Sequence, residues 1–399
     1  MHRHFFSLIV PLIIAIMAWA ATCCSAPAGA TELPLSTKAR PPAENANPFW
    51  ADMEYLEWSV SGDKLPPLVT TGAPPRATAG VLGSPGTAIL FGNSSVNDGF
   101  RPGGQITAGY WFNPGHTAGV EVNFFGLADA TTNFATSSAG SPVLARPFID
   151  ANTGLQSASL IGFPGTFSGA VNVSDRSRLL GAGASYRQDL GTWSGEHISA
   201  LVGYRFLYAS DRLDISSTTI VVGAGGAVPL GTIFAPSDSF AAINYFHGLD
   251  FGLVGQSRHG SWSFDWHAGI ALGATINDAQ INGSTALTVG GVTTIFPGGL
   301  LALPSNIGDY AQVRFSAVPN FSLKGGYEFA PSWHLIADYD LLYWTGVQRA
   351  GAMIDTTINP NLLLVPGGAP GGGPQRPQFQ FNTTSLLAQG FSAGIKHEF

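Results

Sequence analysis

From position 313 to position 344, apolar and polar residues alternate with a period of two, broken only by one short interruption. Val313, Phe315, Ala317, Phe321, Leu323 and Tyr327 fall on one face, and Arg314, Ser316, Asn320, Ser322, Lys324 and Glu328 on the other. After Pro331-Ser332 the pattern resumes, with Trp333, Leu335, Ala337, Tyr339, Leu341 and Tyr343 set against His334, Asp338, Asp340 and Trp344. Successive β side chains point to opposite faces, so this stretch is two strands joined by a tight turn. Both strands exceed the about 5 or 6 residues usual in soluble sheets, and also the roughly 9 to 11 that a tilted strand needs to cross a bilayer. Aromatic residues at both ends of the apolar face suit the two membrane interfaces. The pattern predicts apolar side chains toward lipid and polar ones toward a lumen.

Composition points the same way. The mean hydropathy is +0.18 and only 11% of the residues are charged, yet beyond the first thirty residues no apolar run reaches the about 18 that a spanning helix requires. A net charge of −7 without clustered Lys and Arg excludes a nucleic-acid surface. Residues 1–30 have the form of a secretory leader: a polar, cationic start at His2-Arg3-His4, an apolar core, and Ala28-Gly29-Ala30 as a cleavage site. Both cysteines, Cys23 and Cys24, lie in it, so the expected mature chain has no disulfide and no cysteine-based zinc site. Residues 31–48 read as a flexible lead-in, and 49–399 as the barrel.

Along the chain, 49–60 reads as a first strand, with Met53 and Tyr55 toward lipid, Asp52 and Glu54 inward, and Glu57 at an interface or bulge. Hairpins follow at 103–127, at 178–208, around 257–260 with a return strand from Trp262 to Leu272, and at 313–344. A closing strand carries Phe391, Ile395 and Phe399. The stretches 61–102, 128–177, 209–242, 275–312 and 345–385 read as loops. The fold class is therefore all-β: an antiparallel, up-and-down transmembrane barrel of about 10 strands, or 12 if a loop hides a hairpin. Short turns are periplasmic and long loops extracellular. The Pro366–Pro374 tract is too rich in Gly and Pro to bury a core.

Several stretches, taken in order, closely resemble the beta-barrel porin-7 family of bacterial outer-membrane proteins. They are Glu54-Tyr55-Leu56 continuing to Gly62-Asp63-Lys64-Leu65-Pro66-Pro67-Leu68-Val69-Thr70; Gly203-Tyr204-Arg205-Phe206-Leu207; Leu303-Pro304-Ser305-Asn306-Ile307-Gly308-Asp309-Tyr310; Tyr339-Asp340-Leu341-Leu342-Tyr343-Trp344; and Ala388-Gln389-Gly390-Phe391. The resemblance implies an outer-membrane barrel, without assigning a solute or functional residues. The terminal Phe399, with Phe391 and Ile395 at alternate positions, is similar to the C-terminal signal read by the barrel-assembly machinery; His397 departs from that pattern.

Arg187, Arg205, Asp265, Arg314, Lys324, Glu328, Asp338 and Asp340 are the candidate lumen-lining charges. They can act as a charge filter, or they can pair across the interior and plug it. Asp338 and Asp340 with His334 and His267 would suit a barrel protease, but a solvated lumen wall explains the same residues, and the chain reads as non-enzymatic. His247 and His267 have no metal-ligand spacing, and no cofactor motif is present. The expected function is an outer-membrane barrel with a narrow porin-like path for small polar solutes. The alternative is a plugged structural or surface-interaction barrel acting through its extracellular loops. The expected partners are outer-membrane lipid, the assembly machinery and small polar solutes.

Overall fold

The alternation becomes ten long antiparallel strands in the computed structural model, which describes residues 48–193, 195–223, 228–363 and 372–399. They are β1 (Phe49–Val60), β2 (Gly99–Trp111), β3 (Ala118–Leu127), β4 (Phe167–Trp193), β5 (Glu196–Val221), β6 (Ile233–His259), β7 (Trp262–Val289), β8 (Gly308–Ala330), β9 (Trp333–Gln348) and β10 (Thr383–Glu398). Each pairs with its neighbours in sequence, and β1 pairs with β10, which closes the ring. Two further strands, Ala130–Ser138 on β4 and Val292–Pro297 on β7, extend the sheet above the ring and bring its total to twelve. The four short connections, the start of β1 and the C-terminus lie at one end, where Phe399 N–H donates to Phe49 O over 2.9 Å. The expected leader and nearly all of the lead-in fall outside the described residues, as does most of the Gly/Pro tract.

Much of what reads as loop in the sequence is strand. β4 starts eleven residues before Arg178, β5 runs on to Val221, β6 begins at Ile233, and β7 continues to Val289. Within lipid the outward residues are apolar, as in Leu180, Ala182, Ala184 and Tyr186 of β4. Above Arg178 and Ser210 the polarity inverts. Arg176, Ser174 and Asn172, and Arg212, Asp214 and Ser216, now face out, while Val171, Val173, Leu213 and Ile215 face in and are buried. The strands have left the bilayer for water, and each projects by roughly 40 Å of path at about 3.3 Å per residue.

The inward apolar face of this projection packs on a small sheet with strand order Gln156–Gly162, Val143–Asp150, Val69–Gly72 and Ala88–Phe91. Leu68, Val69, Phe148, Ile161, Phe240 and Ile281 form the core of this extracellular cap. Leu300 to Leu303 are folded into the same core by Asp238, whose Oδ1 accepts from the N–H groups of Leu300, Leu301 and Ala302 at 2.8, 2.9 and 2.8 Å. Arg146 pairs with the other oxygen of Asp238 at 2.7 Å.

One seam interrupts the wall. β8 pairs with β9 only as far up as Asn320 opposite Leu342, whereas β8 with β7, and β9 with β10, continue further. Pro319, next in line, has no N–H to give to the ladder. Above it Thr345 Oγ1 accepts from Ala317 N–H at 2.9 Å and donates to Ala317 O at 3.1 Å, standing in for the missing strand bonds. Gly346, at φ +78, then turns the chain into the lumen.

Candidate functional site

The lumen is layered. Its periplasmic half is a vestibule of about 490 Å³ with many charged residues in its lining. On one wall Lys324 of β8 extends into a cage of carboxylates from β1 and β9, with Nζ 2.7 Å from Glu54, 3.0 Å from Asp338 and 3.4 Å from Asp52. Asp340 beside them accepts from Ser392 at 2.7 Å. On the opposite wall Arg205 holds Asp250 through Nε at 2.8 Å. Arg187 donates to Gln256 at 2.8 Å and lies 5.2 Å over the Trp111 ring, and Gln256 donates to Asp265 at 3.1 Å.

The structure thus gathers Arg187, Arg205, Asp265, Lys324 and Asp340 around one cavity, with Asp338 behind Lys324. Arg314 and Glu328 are not part of it. Arg314 is exposed at the seam, where it donates to Thr383, because β9 has turned away from it. Glu328 is exposed one turn from the periplasmic end, its N–H bonded to Ser261 O at 2.8 Å. The His-Asp constellation does not assemble, since Nε2 of His334 is 4.0 Å from Glu398 and the Asp338 carboxylate is engaged by Lys324. Among the described residues no group of three or more His, Cys, Asp or Glu is placed to hold a metal.

Above the vestibule lies an apolar septum. Every barrel strand except β2 contributes to it: Leu56 and Trp58, Phe125, Leu179, Leu207, Phe246, Ala271, Val318, Leu342 and Trp344, and Leu386 are among its members. Leu56, Leu207, Phe246 and Trp344 have no exposed surface, so no water-sized space runs beside them. The packing needs a glycine at 181, where a Cβ would come within 2.3 Å of the Phe125 ring. Sequence reading placed Trp344 inward but missed the layer, because its other members occupy lumen phase without the polarity expected there. The available signal is that these apolar residues recur at matching register on successive strands.

The in-turned end of β9 seals the septum from above. Trp344 Nε1 donates to Thr275 at 2.9 Å, and Asn244 both accepts from Gln348 N–H at 2.8 Å and donates to Gln348 O at 2.9 Å. Arg349 then pairs with Asp211 and donates to Ser61 O at 3.1 Å. Asp63 accepts from Gly351 N–H at 2.6 Å, and Asp175 accepts from Asn97 at 2.5 Å.

Asp175 stands above the lipid band, on the inner face of the β4 projection. Burial, reinforced by Asp63 and Asp211, pushes its carboxyl up to about 8. A carboxyl raised in the folded state holds a proton that the unfolded chain has released. The cap should therefore lose stability as pH rises from about 4 toward 8, by up to about 1.4 kcal/mol per pH unit for one such group, and level off above. Asp175→Asn should flatten that slope in thermal unfolding of the cap. An unchanged slope would assign it to other groups.

Residues 50–399 match the family described as "Putative beta barrel porin-7". The chain belongs to that family. The porin-7 barrel is also similar to the outer membrane protease OmpT from Escherichia coli, at 10% identity and a TM-score of 0.36, over 89% of this chain and 97% of that one. It is similar to a deltaS2S3 mutant of the TodX monoaromatic hydrocarbon channel, at 8% identity and 0.22, over 90% and 91%. A Pseudomonas aeruginosa FadL homologue is similar at 10% identity and 0.22, over 89% and 91%. No curated protein matches. Family membership makes this a porin-like outer-membrane barrel.

Proposed function

We propose that this porin-like barrel stands closed, serving as a plugged outer-membrane scaffold that acts through its extracellular cap rather than as a standing pore. The septum carries this reading. An ion needs a continuous hydrated path, and Leu56, Leu207, Phe246 and Trp344, with no exposed surface at the centre of this layer, stand against one. The cap supports it too, because the projecting strands β4 to β7 present a large, ordered polar surface to the outside. A second reading, passage of small polar solutes, is favoured by the vestibule. It requires the β9 end to withdraw from Asn244 and Thr275, and on its β8 side that segment is held by the Thr345 side chain in place of strand bonds. Export by a leader over 1–30, insertion through the signal at Phe391, Ile395 and Phe399, and a non-enzymatic role belong to the same proposal. All three terminal residues are exposed on the described barrel.

Planar-bilayer recording of the purified protein tests it. The expected result is no steady conductance from the wild type and measurable opening in Trp344→Gly, which removes the largest fully buried septum side chain. A large, steady wild-type conductance would overturn the closed reading and favour the solute path.

A further inference from the structure

On the outward face of β4 and β5, the lipid-facing Leu180 and Tyr208 are followed immediately by three arginines. Arg176 and Arg178 lie on β4, Arg212 lies on β5, and Arg176 and Arg212 are direct cross-strand partners. Like charges directly opposite one another in a ladder are unfavourable. The fold holds them there with two carboxylates. Asp129 stands at the break between β3 and the strand starting at Ala130; it accepts from Arg178 Nε and Nη2, both at 2.8 Å, and from Arg176 Nε at 3.0 Å. Both guanidiniums hold its carboxyl well below the usual range, so it stays ionised. Asp214 accepts from Arg212 Nε at 2.8 Å.

Three cations against two anions leave one positive charge. The Nη1 atoms of Arg176 and Arg178 and both Nη atoms of Arg212 have no protein hydrogen-bond partner among the described residues. The three side chains are 57%, 44% and 60% exposed. The carboxylates therefore fix the guanidiniums in place while leaving their outer N–H groups pointed at the surroundings.

We propose that this patch binds the phosphate of an outer-leaflet lipid head group. Planar guanidinium forks match phosphate oxygens in geometry and charge. The position selects a lipid over a free anion: acyl chains lying along Leu180 and Tyr208 deliver a head group to the arginines directly above, so the phosphate arrives at high effective concentration. The site fits a phosphorylated glycolipid or phospholipid. Asp129 is a positioning residue within it.

The test uses the full barrel in uncharged detergent, titrated with bisphosphorylated lipid A and, separately, with the same glycolipid after enzymatic dephosphorylation. Wild type should bind the phosphorylated form more tightly, in a salt-sensitive way. Converting Arg176, Arg178 and Arg212 together to Gln should weaken that binding by about 5-fold per arginine, roughly 100-fold in all. The dephosphorylated form should bind wild type and triple variant alike. Retained heat-modifiable gel mobility verifies the fold; if the triple variant loses it, Arg212→Gln alone carries the comparison at about 5-fold. Undiminished binding by the variants, or equal binding of the two glycolipids, overturns the site. Inorganic phosphate binding as tightly as lipid A overturns the assignment to lipid.

Discussion

Lys324→Met should destabilise the barrel by about 3 kcal/mol, the lower edge of the cost of removing one partner from a buried ion pair. The lysine touches Asp52, Glu54 and Asp338 at once, and its side chain is 21% exposed against 5%, 0% and 1% for those carboxylates. Methionine fills a similar volume but leaves three carboxylates facing one another across a space poorly reached by water. The loss should appear as a lowered urea midpoint in vesicles, read by gel mobility. Adding Glu54→Gln and Asp338→Asn to Lys324→Met should restore most of it, because the penalty comes from stranded charge rather than from lost packing. Failure of those two changes to rescue would mean that the lysine stem, not its ammonium, is what the wall requires.

That cage also shows what the sequence could and could not disclose. Alternation placed Lys324 and Asp338 on inward faces of adjacent strands, and the register sets them directly opposite. Asp52 and Glu54 were assigned to the lumen from β1 alone. Their meeting with Lys324 depends on how the ring closes around β10, which a local pattern does not encode. Glu57 broke the β1 pattern for a local reason: it faces outward and accepts a 2.6 Å bond from Tyr55, two residues away on the same face.

The larger gap concerns the cap. A rule that equates outward with apolar works only inside lipid, and it ends the strands where the environment changes. At Leu207-Tyr208-Ala209-Ser210 the period of two continues, but from there Leu213 and Ile215 take the inner face and Arg212 and Asp214 the outer one. Reading periodicity separately from polarity would have kept β5 running to Val221. The septum is hidden by the complementary assumption that inward means polar. Leu56, Leu207 and Phe246 have lumen phase, and only their shared height makes them a barrier. The inward turn of β9 is fainter still, since its local trace is Gly346 following a strand that has lost its neighbour at Pro319.

Ala268→Arg should cost about 2–4 kcal/mol, the penalty for a cation at the lipid-facing midplane of a barrel strand. Ala268 is exposed on the outer face of β7, opposite Leu253 of β6 and Phe321 of β8, with Ile270 and Leu272 following it on the same face. An arginine there has hydrocarbon on every side and must reach along the strand to find water. Gly269 occupies the next position but faces the vestibule. An added Cβ would meet Asn320 Oδ1 and the His267 ring at 3.0 Å, contacts with side-chain ends that have a cavity to move into. Gly269→Arg should therefore cost less, and Ala268→Leu should be close to neutral. Folding titrations into vesicles separate the three. If Ala268→Leu proves as damaging as Ala268→Arg, crowding rather than charge governs the site. If Gly269→Arg is the worst of the three, the outer face of β7 does not meet lipid at that height.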